Sequence, residues 1–188
     1  MRLRFPSFHH VVAAFATAFF AAAPVMGAPV AAEDAQLFDD LADPEGEAWM
    51  RAESDILRLW SLSGSAAVDA IARRGEVALD LGDPESAIGH LNAATDHAPD
   101  FAQGFYLRGT AFYMTGAYGP AAADFARVLT LEPRHFLTLT QLGSMLAEMG
   151  REQAALKAFQ ASLAIHPHQR EALDAVDILG RVTGGSAI

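Results

Sequence analysis

Three times in succession, at a spacing of 34 residues, the chain returns to the same small and apolar residues in the same order. Gly75, Gly109 and Gly143 form one rung, and Gly82, Gly116 and Gly150 the next. Ala87, Ala121 and Ala155 follow, then Leu91, Phe125 and Phe159, and Pro99, Pro133 and Pro167 close each unit. A period of this length marks supersecondary units too small to bury their own apolar faces, so the units must stack in line. Each unit reads as two antiparallel helices, over 66–80 with 84–97, 101–115 with 118–131, and 135–149 with 152–165. The glycines at 82, 116 and 150 sit where a helix end needs a left-handed residue. The closing prolines cannot continue the helix before them. Glycine at mid-helix costs about 1 kcal/mol relative to alanine, so Gly75, Gly109 and Gly143 imply that the paired helices approach closely there. Ala87, Ala121 and Ala155 are expected to face these glycines, with Leu91, Phe125 and Phe159 filling the space one turn further on.

The flanks have a different character. Arg2 and Arg4, an uncharged apolar run from Val11 to Ala23, and a small-residue stretch from Pro24 to Ala32 read as an export signal over residues 1–32. Cleavage is expected after Ala32, or after Ala28, and leads to the periplasm or to secretion; left uncleaved, the segment is the chain's one route to a membrane. The chain has no cysteine, which excludes disulfides, a lipid-modified cysteine and a thiolate metal site. The net charge is −10, and loss of the signal removes two of the 13 basic residues and none of the 23 acidic ones. That excess repels phosphate backbones and anionic lipid headgroups, so nucleic acid is not an expected partner. Residues 33–65 are acidic yet carry Trp49, Ile56 and Trp60 on one helical face. They predict a helix over 35–41, a break at Asp43 and Pro44, and a second helix over 45–61 with Asp43 as its N-cap, the stripe forming the core of an N-terminal cap. A C-terminal capping helix over 169–181 leads into a tail within 170–188.

With Phe105, Phe112 and Tyr118 at aromatic positions and Leu129 and Leu131 ahead of Pro133, the three units 68–101, 102–135 and 136–169 resemble the tetratricopeptide repeat family. The whole chain resembles small exported bacterial members of it. Arg74 and Arg108 replace an apolar residue that Leu142 keeps, and Ala78 and Pro84 stand in aromatic positions, which weakens unit one. The resemblance implies an all-α, right-handed α-solenoid of antiparallel helix pairs, about nine helices after the signal. It also implies that the first helix of each unit lines a concave groove that binds an extended or helical peptide.

On the helix over 101–115, Phe105, Gly109 and Phe112 point to the core, while Gln103, Tyr106, Thr110 and Tyr113 cluster about 80° to 160° away. Taking that second cluster as the groove, unit one adds Arg73, Glu76 and Asp80, and unit three adds Thr140, Gln141, Ser144 and Glu148, with Leu107 and Met114 at the border. Exposed tyrosines give contact area at low entropy cost and suit a partner anchor. The alternative is that Tyr106 and Tyr113 pack on adjacent helices or on the terminal caps. A clamp for an acidic peptide terminus would need several cations on successive first helices, and only Arg73 is present; the expected target is apolar or mildly basic. His90, His97, His135, His166 and His168 fall near turns on different units, and His166 and His168, which straddle Pro167, read as solvated turn residues, so neither a metal nor any cofactor is expected. No phosphate loop, HExxH or nucleophile elbow occurs. The chain thus reads as an exported, non-catalytic, protein-binding scaffold, an adaptor or assembly factor of the bacterial envelope with a protein or peptide partner. The competing reading is an enzyme, or the regulatory subunit of an envelope enzyme, with an unrecognised site. An open aromatic face separates the first from the second, which needs a deep pocket with strongly shifted acids or histidines.

Overall fold

The computed structural model of the protein describes residues 32–185, with side chains over 35–182. The export signal, Ala32 apart, lies outside the described residues. Among these are nine helices and no strand: α1 (Ala32–Ala42), α2 (Trp49–Trp60), α3 (Ala66–Asp80), α4 (Pro84–His97), α5 (Ala102–Met114), α6 (Tyr118–Leu131), α7 (Phe136–Glu148), α8 (Glu152–Ile165) and α9 (Arg170–Gly185). Pairs α3–α4, α5–α6 and α7–α8 are the three repeat units, each stacked on the one before, and α9 packs on α8 in the place of a further unit's first helix.

Each turn within a unit is built the same way. Gly82, Gly116 and Gly150 have φ of +72°, +74° and +70°. The amide three residues past each helix end reaches back five residues: Asp83 N donates to Ala78 O, Ala117 N to Phe112 O and Arg151 N to Leu146 O, each at 2.8 Å. This is the Schellman closure, and it needs a residue that tolerates the left-handed conformation. In unit one, Asp83 then caps α4, its Oδ1 accepting from Ser86 N at 3.0 Å, with Pro84 in the first turn.

Gly75, Gly109 and Gly143 allow close approach within each pair, but the groups pressed on them are the large ones. A Cβ placed on Gly75 would lie 2.5 Å from Leu91 Cγ, one on Gly109 2.7 Å from the Phe125 ring, and one on Gly143 2.9 Å from the Phe159 ring. Helical side chains lean toward the N-terminus, so these residues cover the turn before their own Cα and reach the glycine. The alanines at 87, 121 and 155 are buried in the same clusters but are not what the glycines receive.

Arg108, where the family resemblance expects an apolar side chain, has a built environment. Its Nε and Nη2 donate to the two oxygens of Asp124, each at 2.8 Å, and its Nη1 donates to Asn92 Oδ1 at 3.0 Å and Thr95 Oγ1 at 2.7 Å. Phe105 and Phe112 flank the guanidinium at 5.3 and 6.0 Å. The network ties α4, α5 and α6 together, and each buried polar group in it has a partner.

The N-terminal helices do something the local sequence does not announce. Asp43 is no helix cap: its Oδ1 accepts from Glu45 N at 3.0 Å in an Asx turn, and α2 starts at Trp49, after Ala48, four residues later than expected. Nor do α1 and α2 stack on α3. Leu41, Ala52 and Ile56 form a cluster with Phe136 of α7. Trp49 stacks on His168 at 4.6 Å and Trp60 on His135 at 4.0 Å, while the Arg134 guanidinium lies 3.6 Å over Phe38. His168 Nε2 also meets Asp43 O at 2.9 Å. Helix α2 therefore runs as a strap across the N-terminal ends of α9, α7 and, through His135, α5.

This strap corrects the reading of His166 and His168 as solvated turn residues, since His166 is buried and His168 lies under Trp49, and it buries His135 as well. His135 is 0% exposed and His166 1%. His135 caps α7, its Nδ1 accepting from Thr138 N, and burial pushes its pKa down to about 3. Burial also lowers the pKa of His166, opposed by Glu53 at 3.4 Å. Helix α9 also continues to Gly185 rather than ending near Arg181.

Two predictions test this architecture. Gly109→Ala should destabilise the protein by about 1–3 kcal/mol, because its methyl group meets the Phe125 ring. Gly89→Ala, with open space around the Cβ, should instead stabilise it by about 0.5–1 kcal/mol. Urea titrations of both variants beside the parent decide this; equal midpoints would mean that the glycine contact is not tight. The second concerns pH. Both buried histidines have folded-state pKa values below the ordinary 6.5, so the unfolded chain binds more protons as pH falls. Stability should be full well above pH 6.5 and decline between pH 6.5 and 5, with a slope approaching about 1.4 kcal/mol per pH unit from His135 and a further loss in the same direction from His166. Unfolding free energies across that window should show a shallower slope for His135→Asn, which keeps a capping side chain but cannot titrate.

Candidate functional site

Because the first helices of successive units share one register, residues 34 apart face the same way, and two rows run along the open side of the stack. Glu76, Thr110, Ser144 and Ile178 form one, and Asp80, Met114, Glu148 and Val182 the other. Glu76, Asp80, Met114, Glu148, Ile178 and Val182 are exposed, and Thr110 and Ser144 are half-buried. The rows hold three carboxylates and no cation. Ile178 and Val182 went unnoticed in the sequence because α9 reads as a cap; the 34-residue register carried one unit further would have found them.

At the centre of the rows is a hydrogen-bonded cluster. The Tyr113 hydroxyl donates to Glu148 Oε1 at 2.6 Å and the Tyr118 hydroxyl to Glu148 Oε2 at 3.2 Å, so one carboxylate bridges two phenols from neighbouring helices. The two rings stand 6.1 Å apart. Burial and then Glu148 push the Tyr113 pKa well up, and the hydrogen bond to Glu148 raises that of Tyr118. Glu171 adds its negative field to both Tyr113 and Tyr106, and its Oε1 accepts from Ser144 Oγ at 3.1 Å.

The other expected groove residues divide by depth. Tyr106 sits among the core clusters of units one and two, tilted on His135 at 5.0 Å, and burial raises its pKa to about 12. Gln103 Oε1 lies 3.2 Å from His135 Nε2, at the end of the groove that Trp60 closes. Thr110 Oγ1 donates to Tyr106 O at 2.9 Å, within its own helix. Leu107 does not border the groove: it is buried between units among Ala78, Ala87 and Leu91. Thr140 is also interior, its hydroxyl 2.8 Å from Ser162 Oγ and donating to Gln169 Oε1 at 2.9 Å. Leu107 lies on the side of α5 that seats on unit one, and Thr140 on the side of α7 that meets α8 of its own unit, which a single-helix projection cannot distinguish from a free face. Arg73 lies with Ala70, Arg74 and Val77 on the outer side of α3. Gln141 is half-buried. Tyr113, Met114, Thr110, Ser144, Glu76, Asp80 and Glu148 thus remain together as the open face.

Chemically, the face offers hydrogen-bond acceptors, negative charge, phenol rings and apolar side chains. Among the described residues no group of three His, Asp or Glu could hold a metal ion. The strongly shifted histidine and tyrosines are accounted for by burial and by hydrogen bonds inside the packing.

Comparison with known proteins agrees with this geometry. A family model for the tetratricopeptide repeat matches residues 72–134. A TPR repeat-containing protein of Rhizobium etli is 31% identical over 127 residues, which cover 68% of this chain and 62% of that protein. The chain therefore spans less than two thirds of that relative's length. Among solved structures, MamA superposes with a TM-score of 0.59 at 21% identity, over 72% of this chain and 77% of that one. The Sgt2 TPR domain from Aspergillus fumigatus gives 0.61 at 17% identity, over 65% and 82%. The first TPR of RPAP3, bound to the HSP90 peptide SRMEEVD, gives 0.59 at 15% identity, over 62% and 93%. At these identities the structures speak for the fold, and the repeat ladder, the family model and the relative speak for descent: the chain belongs to the tetratricopeptide repeat family.

Proposed function

We propose that this protein is an exported, non-catalytic scaffold of the bacterial envelope, an adaptor or assembly factor that holds a basic and apolar peptide or helix on its open face. The observation that carries the reading is the pair of rows with three carboxylates and no cation, centred on the Tyr113–Glu148–Tyr118 cluster. A cationic side chain is attracted to such a face, and apolar neighbours find Met114, Ile178 and Val182 beside it. RPAP3, by contrast, takes an acidic peptide in a fold of the same kind. The same peptide would meet like charge here. Export is supported by Arg2, Arg4 and the apolar run that follows them.

The test uses the chain from Glu33 onward and two fluorescent probes, a peptide alternating Lys and Leu and the acidic peptide SRMEEVD. The basic peptide should bind with salt-sensitive affinity and the acidic one should not. The double variant Glu76→Lys with Asp80→Lys should weaken the basic peptide at least tenfold, with an unchanged melting temperature, since both residues are exposed. Preference for the acidic peptide would sink the proposal. For export, the N-terminus of protein recovered from the envelope of a bacterial host should read Glu33 or Pro29; an intact Met1 speaks against cleavage.

A further inference from the structure

The second row of the open face alternates along the stack. Asp80 on α3, Met114 on α5 and Glu148 on α7 are each exposed, and each keeps its exposure with the next unit in place. Glu76 adds to the charge at α3, and at α7 Glu171 does so beside Ser144, whose hydroxyl it accepts at 3.1 Å. Two cations of the same helices are turned to acids of their own: Arg73 of α3 acts on Asp69, and Arg181 of α9 is held by Asp177. The row therefore offers charge, apolar contact and charge at equal steps. At its middle the rings of Tyr113 and Tyr118 are fixed by Glu148 next to Met114.

The length of one step selects the conformation of the ligand. Helix α3 touches α5 and α5 touches α7, and helices in contact stand about 8–10 Å apart. A ligand that meets all three must repeat on one face at that interval. A β-strand does not, because its same-face residues recur at about 6.6 Å and then about 13 Å. A polyproline II chain does: three residues make one turn and rise about 9 Å, so residues i, i+3 and i+6 share a face. An α-helix meets the interval at i, i+7 and i+14, but it is about 10–12 Å across. On α5 the open band runs only from Thr110 to Met114, about 6 Å of helix, since Tyr106 one turn earlier is packed among the core clusters and the helix ends at Met114. An extended backbone takes about 5 Å and fits that band.

We propose that the open face binds a polyproline II segment with a cationic side chain at its first and seventh residues and an apolar one at its fourth, a proposal that rests on the reading of this face as a site for a basic and apolar peptide and adds the conformation and the spacing. One cation meets Glu76 and Asp80, the other Glu148 and Glu171, and the apolar residue lies on Met114. The prolines between them lie against the fixed rings of Tyr113 and Tyr118, since an aromatic-lined groove is the surface on which a preformed polyproline II helix docks. Ligand and face are both ordered beforehand, so little freedom is lost on binding.

The experiment is fluorescence anisotropy on the chain from Glu33 onward with four labelled peptides. RPPLPPR carries the proposed spacing, PRLRPPP has the same composition with the spacing broken, and RGGLGGR keeps the spacing without the stiffness. The peptide alternating Lys and Leu reports on the acidic face alone. RPPLPPR should bind at least tenfold more tightly than PRLRPPP and RGGLGGR. In the double variant Glu76→Lys with Asp80→Lys its affinity should fall at least tenfold, and a peptide with one end reversed, EPPLPPR or RPPLPPE, should recover it; the one that does so gives the direction of the segment on the face. Parity of RPPLPPR with PRLRPPP while the alternating peptide still binds overturns the spacing and leaves the acidic face standing. Parity with RGGLGGR overturns the conformation, and failure of both reversed peptides overturns the register. If no basic peptide binds, this proposal falls together with the reading beneath it.

Discussion

Close approach of two helices at a glycine is the contact on which the stack depends. In each unit a large apolar side chain from the second helix presses on a glycine of the first, Leu91 on Gly75, Phe125 on Gly109 and Phe159 on Gly143. A mid-helix glycine is unfavourable by itself, so the burial of that large side chain must outweigh it. Once the helices are this close, the turn joining them has to close tightly, which accounts for the left-handed glycine seven residues after each contact glycine. One interaction therefore dictates the spacing of two others, and its repetition gives the chain its period.

Within that frame the structure places polar groups where packing alone would have sufficed. Arg108 and Asp124 with Asn92 and Thr95 form a satisfied network across units one and two, and Ser162 with Thr140 and Gln169 forms a second one near the C-terminal end. Networks of this sort tolerate one geometry only, since a displaced partner leaves a buried charge or hydroxyl unpaired. The first fixes unit one against unit two, and the second fixes the two helices of unit three against each other. The strap adds a third constraint, because Trp49 and Trp60 hold turns that are far apart in sequence.

The open face follows from what these contacts leave over. Helix α2 closes the end where Gln103 and Tyr106 lie, the seating of unit two on unit one removes Leu107, and hydrogen bonds within unit three remove Thr140. What is left is a half-groove, acidic and aromatic, in which Glu148 holds two tyrosines in place. Rings fixed in this way lose little freedom on contact with a partner, which favours recognition by a preformed surface.

From the residues alone, the period, the helix pairs, the turn glycines and the acidity of the face are all legible, because each is a local or strictly repeated property. The helix bounds of the three units could be read to within a residue or so for the same reason. The face toward which Leu107, Thr140 and Arg73 turn could not be read, since one helical wheel does not say which neighbour lies on which side. The burial of His135 and His166 was equally hidden: it depends on a helix whose tryptophans stand far earlier in the chain, Trp60 against His135 and Trp49 against His166, folding over the turns. Repetition is written into sequence because every unit must satisfy the same contact; the path of the strap is not, because it is decided once, by the apolar surface that the assembled stack exposes.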